Sequence, residues 1–86
     1  MCHKEVVIKN KVGLHSKFAA SFIKKANEFR SSIWVERDDR RVSAKSLLGV
    51  LSIGVLGGDS VTIVADGNDE DKALAALVEL VESVFK

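Results

Sequence analysis

Apolar positions along this chain change period several times, and each change marks a predicted element. Glu5-Val6-Val7-Ile8-Lys9 alternates, with Val6 and Ile8 on one side, and predicts a first strand. After Gly13 the period lengthens. Phe18, Ala19, Phe22, Ile23, Ala26 and Phe29 recur at steps of three and four, as in a helix that buries one face, here ending near Glu28. Alternation returns in Ile33-Trp34-Val35-Glu36, a second strand. The polar stretch Arg37-Asp38-Asp39-Arg40 supplies a turn, and Arg41-Val42-Ser43 comes back as a short antiparallel partner. Ser46-Leu47-Leu48-Gly49-Val50-Leu51 reads as a short helix with Ser46 as N-cap, followed by a turn at Gly57-Gly58. Val61, Ile63 and Ala65 alternate with Thr62 and Val64 in a fourth strand. Asn68 and Asp69 then cap a closing amphipathic helix carrying Ala73, Leu74, Leu77, Val78, Val81 and Val84.

The order βαββαβα, without a serial βαβ repeat, predicts an α+β open-faced sandwich. Its helices cover one face of a four-stranded antiparallel sheet and leave the other face to solvent. With 86 residues the chain is expected to form a single domain, 1–86, around one core. If Ile33 and Val35 face that core, Trp34 faces outward beside Val7 and Val64. Such a patch would support a dimer, although a monomer with scattered exposed apolar residues is the plainer expectation.

Charge adds a direction to this frame. Net charge is only +1, yet residues 1–30 hold seven Lys or Arg against two Glu, while residues 59–86 hold seven Asp or Glu against two Lys. The first third thus presents a basic side that steers acidic partners or anionic ligands. Basic residues are not interleaved with aromatic ones and no reading helix is evident, so nucleic acid is not an expected partner. The single cysteine, Cys2, forms no internal disulfide, and Cys2 with His3 at a chain end makes no metal site, so both read as incidental. No segment has signal-peptide character or the roughly 18 apolar residues of a membrane span, and a reducing cytoplasm is the expected compartment. Paired carboxylates, a Gly-rich phosphate loop and a nucleophile triad are all missing, which argues against a complete hydrolase or kinase.

The residue that draws attention is His15, in Gly13-Leu14-His15-Ser16-Lys17, where strand character gives way to helix. A helix starting there aims its free N–H groups and positive dipole end at whatever the imidazole carries, a common way to hold phosphate. Helix capping or a surface role for the histidine is the structural alternative. As a nucleophile, neutral imidazole is competent near pH 7. An adjacent cation and a helix N-terminus both disfavour imidazolium, the dipole by about 0.3–1 kcal/mol.

Gly13-Leu14-His15-Ser16-Lys17 and Lys45-Ser46-Leu47-Leu48-Gly49-Val50-Leu51-Ser52, in this order and separation, with Asp66-Gly67 before the last helix, resemble the HPr family. Its members are the histidine-containing phosphocarriers of the bacterial sugar phosphotransferase system, and the resemblance runs over essentially the whole chain. It implies that His15, through Nδ1, accepts a phosphoryl group from phosphorylated enzyme I, itself charged by phosphoenolpyruvate. It further implies transfer to an enzyme IIA component of a sugar transporter, with no metal or cofactor on this protein. The Ser16 and Lys17 backbone N–H groups and the Lys17 ammonium would then offset phosphate charge.

The chain departs from the family pattern Gly-Leu-His-Ala-Arg-Pro-Ala at Ser16, Lys17 and Phe18. Lys17 keeps the charge but loses the planar fork of arginine, and Phe18 replaces a proline whose fixed φ preorganises the first turn. Transfer is accordingly expected to be slower or partner-selective. Ser46 reads as a helix cap worth about 1 kcal/mol. The resemblance also makes it a regulatory site for an HPr kinase, where phosphate would add about −1.5 to −2 charges at a helix N-terminus. Leu47, Leu48 and Leu51, joined by Ala20, Lys24 and Asn27 at helical spacing, form the expected partner patch, with Val50 serving the core. An HPr-like regulatory module, acting through the Ser46 surface on a catabolite-control transcription factor or an enzyme, is the alternative function.

Overall fold

A computed structural model describes residues 1–7, 16–53 and 59–82, the side chains of residues 16–18 excepted. The elements follow the expected order: β1 (Cys2–Val7), α1 (Ser16–Ala26), β2 (Ser32–Arg37), β3 (Arg40–Ser43), α2 (Leu47–Ser52), β4 (Ser60–Asp66) and α3 (Glu70–Glu82). The four strands form one antiparallel sheet in the order β1-β4-β2-β3. Strand β4 lies between its partners, with Val6 opposite Val61 on one side and Ile33 opposite Ala65 on the other.

Alternation decides which face each strand buries. Val6, Ile33, Val35, Val61, Ile63 and Ala65 are buried together with Phe22 and Ala26 of α1, Val50 of α2, and Ala73, Leu77 and Val81 of α3. This is the expected one-sided sandwich, its core made by the side-chain periods of 2 and 3.6 meeting across the helix–sheet interface. The opposite face is less open than expected. Val64, between His3 and Trp34 in the register, is only 3 % exposed, and Trp34 is half-buried with the Arg41 guanidinium 4.8 Å from its ring centroid. Arg41 is itself held by Glu36 at 2.6 Å. Of the three residues expected to form an apolar patch there, Val7 is the exposed one, so the patch does not form as a continuous apolar surface.

Element ends differ from expectation for local reasons. Strand β1 begins earlier, at Cys2, whereas Ile8 and Lys9, the Gly57-Gly58 turn and Val84 lie outside the described residues. Helix α1 stops at Ala26. The chain then tightens into turns in which the Glu28 and Phe29 N–H groups reach carbonyls three residues back. The β2–β3 turn is two residues long, with Asp38 at φ 56°, a left-handed conformation that aspartate tolerates.

Asp69 shows the largest difference. It stands just before α3, as a cap should, but its carboxylate accepts from the backbone N–H groups of Arg30 and Ser31, both at 2.9 Å, and from the Ser31 hydroxyl. The acid that sequence assigns to a helix start thus fastens the α1–β2 connection to the β4–α3 connection. These donors, Ser31 Oγ foremost, lower the Asp69 pKa from 3.8 to about 2. Gly67 completes the clasp. Its φ is +156°, and a Cβ there would stand 2.6 Å from Ser31 Oγ and 2.7 Å from Ser31 Cα, closer than atoms allow.

Gly67→Ala is therefore expected to destabilise the fold by about 1–3 kcal/mol in urea denaturation, from combined backbone strain and overlap. Asp69 also predicts a pH dependence. Because its folded pKa is depressed, its stabilisation is present above the unfolded value near 3.8 and is lost as pH falls from about 4 towards 2. Denaturation midpoints measured across that window should fall less steeply in Asp69→Asn than in the wild type.

Candidate functional site

Helix α1 begins at Ser16, the residue directly after His15 in the chain, so the helix lies where the hydrophobic period placed it. The first turn has no acidic residue, and its N–H groups lack intrahelical acceptors, which gives this helix start an anion-favouring character. His15 itself lies outside the described residues, as do the side chains of Ser16, Lys17 and Phe18. Ala20 and Lys24 on α1, and Asn27 in the turn just past its end rather than on the helix, are all exposed, in contrast to the buried Ala19, Phe22 and Ala26. Asn27 uses its side-chain N–H groups locally, donating to the Ile23 carbonyl at 2.9 Å.

Helix α2 packs beside α1. Ser46 takes the N-cap position with extended backbone (φ −109°, ψ 120°), and its Oγ accepts the Gly49 N–H at 3.1 Å. The side chain is exposed, so one hydroxyl both ends the helix and stands open to chemistry. Val50 is fully buried, as its place in the period requires, and Leu47 and Leu48 project outward at 48 % and 81 % exposure. Leu51 differs from its two neighbours. It is half-buried and packs against the core, so it belongs to the patch at its edge. Leu47 and Leu48 thus form an exposed apolar pair on the outer side of α2.

The polar framework around α2 went unnoticed in the sequence. Lys45, immediately before the cap, sends its ammonium to the Phe29 carbonyl at 2.8 Å, tying the start of α2 to the end region of α1. At the other end Arg40 donates to the Ser52 carbonyl at 2.8 Å and Arg37 to the Ile53 carbonyl at 3.5 Å. No period or short motif signals such contacts, because they join residues 12 to 16 positions apart across a turn.

Two other clusters lie away from these helices. Cys2 Sγ, Glu70 and Asp71 place ligand atoms within 4.8 Å of one another. Glu70 is nevertheless committed to the Gly67 N–H at 3.0 Å and the Met1 amine at 3.1 Å, and burial pushes the Cys2 thiol pKa up, away from the thiolate a metal needs. His3 is on the other face of β1 from Cys2, so the two do not converge. A groove of about 590 Å³ between β1 and α3 is lined by Lys4, Asp71, Leu74, Val78 and Glu79 among others, away from α1 and α2. Among the described residues, no helix is long and apolar enough to cross a membrane.

Comparison with known proteins gives this geometry its context. The family model described as the PTS HPr component phosphorylation site matches residues 2–83. The HPr-like protein Crh of Halalkalibacterium halodurans is 40 % identical over 82 residues, covering 95 % of this chain and 98 % of that protein. The phosphocarrier protein HPr of Borreliella burgdorferi is 42 % identical over 83 residues, 96 % of each. The crystal structure of HPr-C-His from Thermoanaerobacter tengcongensis superposes with a TM-score of 0.95 at 48 % identity, covering 96 % of this chain and 93 % of that one. With its strand order, its helix opening after Gly13-Leu14-His15 and its Ser46-capped helix, the chain belongs to the HPr family.

Proposed function

We propose that this protein is a phosphoryl carrier. His15 Nδ1 attacks the phosphorus held by phosphorylated enzyme I, a P–N bond forms as the bond to the donor breaks, and the group then passes to an enzyme IIA component of a sugar transporter. The observation that carries this reading is the retained histidine in Gly13-Leu14-His15, directly ahead of a helix whose first turn holds no acid. Free N–H groups at that helix start, those of Ser16 and Lys17 included, and the Lys17 charge support a phosphorylated imidazole without an enclosed cavity. Moderate stabilisation suits a relay, because a carrier that binds phosphate too tightly does not release it. Leu47, Leu48, the edge of Leu51, Ala20 and Lys24 on the neighbouring helix, and Asn27 just past its end are the proposed docking surface for both partners, with the protein acting as a cytoplasmic monomer.

A second reading rests on Ser46 and on the likeness to an HPr-like protein Crh as well as to phosphocarriers. Phosphorylation of the exposed Ser46 Oγ by an HPr kinase would add negative charge beside Leu47 and Leu48. The modified surface would then be read by a catabolite-control transcription factor or an enzyme.

Incubation with enzyme I and phosphoenolpyruvate should add one acid-labile phosphoryl group by intact-protein mass spectrometry, and His15→Ala should abolish it. A folded protein that takes no phosphate from several enzyme I preparations would instead favour the Ser46 reading. Restoring the family residues with Lys17→Arg and Phe18→Pro together is expected to speed transfer. An unchanged or slower rate in a quenched-flow assay would contradict the role given to those positions.

A further inference from the structure

Helix α2 has six residues with Gly49 among them, too short and too flexible a segment to be helical on its own strength. Its core contacts come from Val50 and Ile53, and its N-terminus is closed by Ser46. Side chains donate to carbonyls of its last turn and of its C-cap. Ser52 Oγ donates to the Gly49 carbonyl at 2.7 Å. The Arg40 guanidinium straddles Ser52, one nitrogen 2.8 Å from its carbonyl and the other 3.4 Å from its Oγ. Arg37, across the two-residue turn from Arg40, reaches the Ile53 carbonyl at 3.5 Å and divides its guanidinium with Asp59 at 3.3 Å. Two cations therefore sit at the negative end of a short helix dipole, and the closer contact is the forked one from Arg40.

We propose that Arg40 is a positioning residue for partner docking. From the β2–β3 turn it closes the C-terminal turn of α2 and holds Leu47, Leu48 and Leu51 in the arrangement a partner meets. The inference rests on the reading of α2 as the docking helix. Its mechanism is a population effect: when the last turn frays, apparent affinity drops in proportion to the fraction of molecules still holding the competent helix.

The test uses the full chain, with enzyme I and phosphoenolpyruvate as the assay, and reads both steady-state phosphorylation and amide hydrogen exchange. Arg40→Gln is expected to speed exchange at Val50 to Ile53 about tenfold and to raise KM about two- to threefold with kcat little changed. Arg40→Lys should recover part of both effects, since an ammonium reaches the Ser52 carbonyl but lacks the fork. Leu48→Ala should raise KM without accelerating exchange. A salt-sensitive rise in KM with unchanged exchange would overturn the proposal by showing that Arg40 touches the partner itself. Faster exchange with unchanged KM would overturn it too, because docking would then not depend on an ordered α2. A silent Leu48→Ala would instead remove the docking reading, and the Arg40 inference with it.

Discussion

One constraint organises the molecule: β4 is paired on both sides and turns one apolar face, Val61, Ile63 and Ala65, to the helices. Its neighbours β1 and β2 bring Val6, Ile33 and Val35 to the same side as Val61, Ile63 and Ala65. That apolar face has to be covered, and the apolar stripes of the helices cover it. All three helices are thereby driven to one layer, which makes α1 and α2 neighbours. The proposed site follows from this enforced adjacency, since a helix opening beside His15 and a helix presenting Leu47 and Leu48 become parts of one surface layer.

The two ends of that layer are secured differently. Near α3, the connection is fixed by a buried-side clasp in which Asp69 gathers three donors from Arg30 and Ser31 while Gly67 allows the chains to approach. Around α2 the ties are cationic and more exposed, with Lys45 at its start and Arg37 and Arg40 at its end. Exposed charge-assisted contacts are individually modest. A helix of six residues is too short to be stable alone, so such contacts add to its packing against the fold. Partner surfaces made from such elements are ordered by the fold around them and remain the part most easily altered by a single substitution.

Family membership and local chemistry address different questions. The match over residues 2–83 accounts for the architecture. Ser16, Lys17 and Phe18 distinguish this chain beside the proposed phosphate site, where a lysine supplies charge without the geometry of an arginine. Ser46 keeps its capping geometry and its exposure together, so a structural role and a modifiable hydroxyl coexist in one residue.

Periodicity was enough to place every strand and helix and the burial of Phe22, Val50 and Leu77, because these depend on repeats of two or 3.6 within one segment, and residue type at a helix start was enough for the Ser46 cap. The same local reading made Asp69 a plain helix cap and Trp34 part of an open apolar patch, and it passed over Arg40 and Lys45. Each of those outcomes was decided by a residue distant in sequence: Ser31 draws away the Asp69 carboxylate, Arg41 covers Trp34, Ser52 accepts from Arg40 and Phe29 from Lys45. Hydrophobic pattern specifies which face of an element turns inward. Directional polar contacts between elements exist only after those faces have met, so the tertiary structure alone decided them.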